Sequence, residues 1–115
     1  MKRSKRGLRR RYGRSGSGEP VTPVIFRVFP KKEGGDVIAL FPTLPGSHEW
    51  WTCSSYMHVG QHGAADCRGL IDSTRPATLE QYATLKRELE SIGYNLKVCH
   101  RVTSDMESKR KKAMQ

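Results

Sequence analysis

Apolar residues gather in two short runs, Val24 to Phe29 (VIFRVF) and Asp36 to Phe41 (DVIALF), separated by Lys31-Lys32-Glu33-Gly34-Gly35. Runs this short and this rich in β-branched and aromatic side chains predict two strands, and the glycines supply the positive φ angles that a hairpin connection requires. Pro42 to Gly46 (PTLPG) interrupts the sheet, and Trp50 to Met57 (WWTCSSYM) resumes it as a third strand. Alternation places Trp51, Cys53, Ser55 and Met57 on one face of that strand, and Trp50, Thr52, Ser54 and Tyr56 on the other. If one tryptophan is core its neighbour points the other way, so one large aromatic is expected to be partly exposed or else covered by the Pro42-to-His48 loop. His58 to Gly63 (HVGQHG) reads as a glycine-bracketed loop, Ala64 to Ile71 as a short helix, and Thr74-Arg75-Pro76-Ala77 as its end.

The period then changes to that of a helix. Leu79, Tyr82, Leu85, Leu89 and Ile92 recur at spacings of three and four, which predicts one stripe facing the sheet. Thr78 followed by Gln81 matches a capping box, and Gly93 stands where a helix C-terminal glycine belongs, so the helix spans Thr78 to Ile92. Leu96, Val98, His100 and Val102 then alternate with Lys97, Cys99 and Arg101 as a half-buried last strand. The order β-β-β-α-α-β predicts an α+β fold: a small, mainly antiparallel sheet with its helices packed on one face.

Charge divides the chain differently. Of a formal net charge of +10, residues 1 to 18 contribute eight cations (Lys2, Arg3, Lys5, Arg6, Arg9, Arg10, Arg11, Arg14) and no acid. Residues 103 to 115 add Lys109, Arg110, Lys111 and Lys112 against Asp105 and Glu107, while residues 19 to 102 hold nine cations and nine acids and are neutral. The expected organisation is therefore a disordered basic arm (1–18), a single globular domain (19–102) and a basic C-terminal tail (103–115). Longer apolar runs are missing, so no membrane span is expected. Cys53, Cys67 and Cys99 form an odd set without a C-x-x-C pair, and this favours a reducing interior, cytoplasmic in a host cell or within a virion.

Cys53, His58, His62 and Cys67 lie within fifteen residues and are of types that zinc accepts. Their spacing matches no common finger, and the competing reading makes the cysteines small core residues, so no metal or cofactor is assigned. Cys53, His58, His62 and Asp66 could supply a thiol and a base, but no nucleophile elbow, phosphate loop or paired carboxylates accompany them; a non-enzymatic protein is expected.

The arm is more specific. Arg9-Arg10-Arg11-Tyr12-Gly13-Arg14 presents guanidinium forks to phosphates and one aromatic ring to stack on bases, with Lys109, Arg110, Lys111 and Lys112 as a second patch. This predicts binding of DNA or RNA through the basic arms, and assigns Tyr56, His58, Gln61 and His62 to a recognition loop. The competing reading is a module that binds a host protein, such as an inhibitor of a host enzyme or defence complex.

The strings VIFRVFPKKEGGDVIALFP, CSSYMHVGQHGAADC and STRPATLEQYATLKRELESIGYNLKV resemble a family of short, functionally uncharacterised proteins of phages, plasmids and gut bacteria. The resemblance covers residues 24 to 102, and Ser55 to Gly63 (SYMHVGQHG) is its most specific part. It implies a phage or mobile-element context and no particular activity. LRRRYGR similarly resembles the basic leaders of small phage and plasmid proteins, as a segment added to that core.

Overall fold

Five successive residues of the first strand, Val24 to Val28, are buried, as are five of the second, Ile38 to Pro42. A strand buried without alternation has protein on both faces. The computed structural model, which describes residues 21–57 and 61–114, provides that cover with a mixed six-stranded sheet and three helices, a small α+β domain.

Strands β1 (Thr22–Val28), β2 (Val37–Pro45), β3 (Thr52–Met57) and β4 (Gln61–Asp66) form an antiparallel meander. The β1–β2 hairpin closes through a single 3-10 turn at Lys31–Glu33, with Gly34 and Gly35 at φ 107° and 68°, as their sequence predicts. The outer edge of β1 is shared. The two-residue strand β5 (Arg75–Pro76) pairs antiparallel with Arg27 and Val28, and β6 (Leu96–Cys99) pairs in parallel with Thr22 to Ile25. Because β5 occupies the rest of that edge, the last strand stops at Cys99 instead of reaching Val102.

Helix α2 (Leu79–Ser91) covers one face, where Leu85 and Leu89 pack on Val24, Phe26, Ala39, Phe41 and Tyr56. Tyr82 stacks on Phe26 at 4.4 Å and Tyr94 on Phe41 at 5.0 Å. The expected stripe is correct in its middle only, since Leu79 and Ile92 are exposed at its ends. The capping box is present, with Gln81 N donating to Thr78 Oγ1 and Thr78 N donating to Gln81 Oε1. Thr78→Ala is expected to lower stability by about 1 kcal/mol in chemical denaturation; an unchanged midpoint would show that the cap contributes nothing.

The opposite face carries Ile25, Ile38, Leu40, Cys53, Ala65 and Cys67, and is covered by Leu70 and Ile71 of α1 (Cys67–Ser73), by Val102, and by α3 (Ser104–Ala113), which lies along β2. The helices therefore occupy both faces, not one, because the central strands are apolar on both sides. Arg27 of β1 is buried here; it donates from Nε to Thr74 Oγ1 (2.9 Å) and from Nη2 to the Ile71 carbonyl (2.8 Å), closing the end of α1.

Two further expectations change. The segment expected to begin a helix at Ala64 is strand as far as Asp66, since β4 satisfies the open edge of β3; Asp66 then caps α1 by accepting from Gly69 N at 3.1 Å. The expected C-terminal tail is helix α3. Thr103 caps it, Asp105 and Glu107 lie in its first turn, and Arg110, Lys111 and Lys112 in its last, an order that suits the helix dipole at both ends.

Candidate nucleic-acid interface

The strand directions bring three separate parts of the sequence to one end of the sheet. Thr22 opens β1 beside Leu96, β2 ends at Pro45, and Pro45 pairs with Cys53 near the start of β3. With β2 between them, the start of β1 and the start of β3 lie about 10 Å apart laterally. The chain therefore passes from its basic N-terminal segment into the sheet at the same end as the turn joining β2 to β3. The last turn of α3 reaches that end too.

That turn is held by its own hydrogen bonds. Ser47 Oγ contacts Glu49 Oε1 at 2.6 Å and Thr52 Oγ1 at 2.8 Å, and Thr52 donates from both its hydroxyl and its amide to the Glu49 carbonyl. Gly46 lies so close to the Cys53 carbonyl that a β-carbon there would overlap it. Trp50 and Trp51, expected to begin β3, instead belong to this turn. The two residues are 53% and 44% exposed and their rings meet edge to face at 6.0 Å, while their backbone carbonyls are bound by Arg110 and by the amide of Cys67. The backbone is fixed and the rings stand in solvent.

Arg110 makes the link to α3. Its side chain is 1% exposed; Nη1 donates to the Pro42 carbonyl (2.9 Å) and Nη2 to the Trp50 carbonyl (3.3 Å). This corrects its assignment as a surface phosphate contact: the guanidinium is enclosed and its donors are directed at the β2–β3 connection. Its neighbour Lys111 consequently places Nζ 4.8 Å from the centre of the Trp50 ring. Lys109, Lys111 and Lys112 are exposed, and Lys109 approaches Asp105 at 3.5 Å. Glu107 is engaged by Arg68 at 2.7 and 3.0 Å, and this hydrogen-bonded pairing holds its carboxyl below the usual range.

Beneath this end lie Cys53 and Cys67, both buried. Each thiol shifts the other through their mutual hydrogen bond: the Cys67 thiol is held down to about 7, helped by the Arg110 charge, and the Cys53 thiol is pushed up, with burial adding to the effect. His62 is on the other face of the sheet, beside Tyr56, so it does not join the two cysteines, and Asp66 is committed to capping α1. Among the described residues no three His, Cys, Asp or Glu side chains come together as metal ligands.

The sequence-predicted recognition residues fare unevenly. Tyr56 is 2% exposed, within the α2-facing core, and its hydroxyl donates to the Glu88 carboxylate, which corrects its assignment as a recognition residue. His62 is exposed, with Nε2 3.2 Å from the Tyr94 hydroxyl and its ring against Tyr56. Both belong to the β3–β4 hairpin, whose last described pair, Met57 with Gln61, lies about 17 Å along β3 from the tryptophan turn. His58, the side chain of Gln61, and Arg9, Arg10, Arg11, Tyr12 and Arg14 lie outside the described residues. Sequence reasoning missed that both tryptophans are exposed and that Lys111 covers one of them. Among the described residues no helix is long and apolar enough to cross a membrane. In comparisons with known proteins, the chain matches no family model, no curated protein and no solved structure.

Proposed function

We propose that the protein is a non-enzymatic nucleic-acid-binding protein that grips the phosphate backbone through basic segments at one end of its sheet. Arg9, Arg10, Arg11 and Arg14 supply the principal phosphate contacts, Tyr12 stacks, and Lys109, Lys111 and Lys112 form the structured patch. The supporting observation is convergence: the entry point of a segment with eight cations and no acid, two exposed tryptophans and the cationic turn of α3 share one end of an otherwise neutral domain. A solubilising tail would require neither the aromatics nor the shared location. The phage or mobile-element context implied by the core resemblance belongs to the same proposal.

The triple substitution Lys109→Glu, Lys111→Glu and Lys112→Glu tests the structured patch. Each lost phosphate contact removes about one unit from the salt slope and weakens unrelated sequences alike. Fluorescence anisotropy with two oligonucleotides of different sequence should therefore show an equal loss, about tenfold or more near 50 mM salt. Unchanged affinity, or a loss confined to one sequence, would count against the proposal.

A further inference from the structure

Resting on that reading, we infer that the preferred ligand is single-stranded nucleic acid, with bases stacking on Trp50 and Trp51. Fixed carbonyls and solvent-facing rings make the turn a preformed platform, since little ordering is needed before a base can be received. The two rings meet edge to face and Lys111 lies over one side of Trp50, yet both residues remain about half exposed, and that exposed ring area is what a base would stack on. Every nucleobase has a π-face, and stacking of this kind is tolerant of sequence. Lys111 beside Trp50 adds a cation to the platform, within reach of the phosphates that flank a stacked base.

A duplex fits less well. Its bases already stack on one another and offer only edges in the grooves. Helix α3, the strongly cationic helix at this end, carries Asp105 and Glu107 in its first turn and its cations in the last, so laying it along a groove would bring carboxylates against phosphates. A partner protein could also bury two indoles, but the surrounding charge favours a polyanion: Lys111 lies against Trp50, the eight-cation segment enters at the same end, and the nearby carboxylates Glu49 and Glu107 are hydrogen-bonded to Ser47 and Arg68.

The chain contains only these two tryptophans, so its intrinsic fluorescence reports on this site alone. Full-length protein is titrated with a 15-nucleotide oligo-dT and with a 15-base-pair duplex at the same salt. The inference expects the single strand to quench the emission and to bind at least tenfold more tightly than the duplex. Read by the anisotropy of labelled oligonucleotides, because both variants lack tryptophan, Trp50→Ala with Trp51→Ala should weaken single-strand binding by about tenfold per stacked base while leaving duplex binding unchanged, and Trp50→Phe with Trp51→Phe should restore most of it. The removed rings are exposed, and a thermal melt confirms that the variants fold. Equal binding of the two ligands without quenching, or an alanine variant that still prefers single strands, overturns the inference while the nucleic-acid reading stands. Failure of both ligands to bind at low salt overturns the reading itself.

Discussion

Arg110→Ala is expected to destabilise the protein by about 2–4 kcal/mol, because it removes the buried side chain that ties α3 to the sheet. Two hydrogen bonds from a charged donor end on the Pro42 and Trp50 carbonyls, and their loss leaves these acceptors unpaired beneath α3. Part of the cost is offset, because a buried guanidinium is itself expensive to desolvate and its Nε has no hydrogen-bond partner among the described residues. Lysine is a poor replacement, since one ammonium lacks the planar fork that spans both carbonyls. Chemical denaturation measures the loss. A variant as stable as the parent, with an unshifted tryptophan spectrum, would mean that α3 is not held to the tryptophan turn through Arg110.

The hydrogen-bonded thiol pair beneath this end links the site to pH. Cys67 ionises more readily folded, at about 7, than in an unfolded chain, where a thiol titrates near 8.5. Its stabilising contribution is therefore fully present above about 8.5 and is lost as pH falls through about 7. Cys53 is shifted the opposite way, so above the ordinary thiol value its suppressed ionisation makes stability fall as pH rises. The pair should give a stability maximum near pH 8.5, with a rising limb between about 7 and 8.5 that Cys67→Ser flattens. A limb of the same slope in that variant would assign the pH dependence to other groups.

Much of the fold could be read from local patterns. The β1–β2 hairpin had its glycines, and α2 had both a capping box and an inward stripe. The two-sided sheet was also signalled, by runs such as VIFRVF that do not alternate, but a polar-looking remainder drew attention away from it. Strand β4 was hidden because Gly63, Ala64 and Ala65 have little strand preference of their own; it is held by the ladder to β3. Helix α3 was hidden by its charge. Met106 and Arg110 within it and Met114 at its C-cap recur every four residues and are each at least partly buried, an inward stripe that a uniform cationic run conceals. At the candidate site, the cationic residues and the tryptophan pair were visible separately. Their shared location depends on strand direction and on a buried arginine, neither of which adjacent residues reveal.

Removing residues 1–18 is expected to cause the largest loss of binding, two to four orders of magnitude at about 50 mM salt. Each phosphate neutralised adds roughly 0.7 to the salt slope on a single strand, so eight cations can contribute up to about 5 or 6. The tryptophan turn and α3, which lie within residues 21–114, should retain weak binding with a shallow slope. A thermal melt of the shortened chain checks that it stays folded. If the protein instead acts on a host protein, the shortened chain should keep its partner and salt should matter little. The decisive measurement is a pair of oligonucleotide-binding curves, taken across salt concentrations with and without residues 1–18. A steep slope for the full chain that becomes shallow on truncation is the predicted result; equal slopes, or equal affinities, would contradict the account.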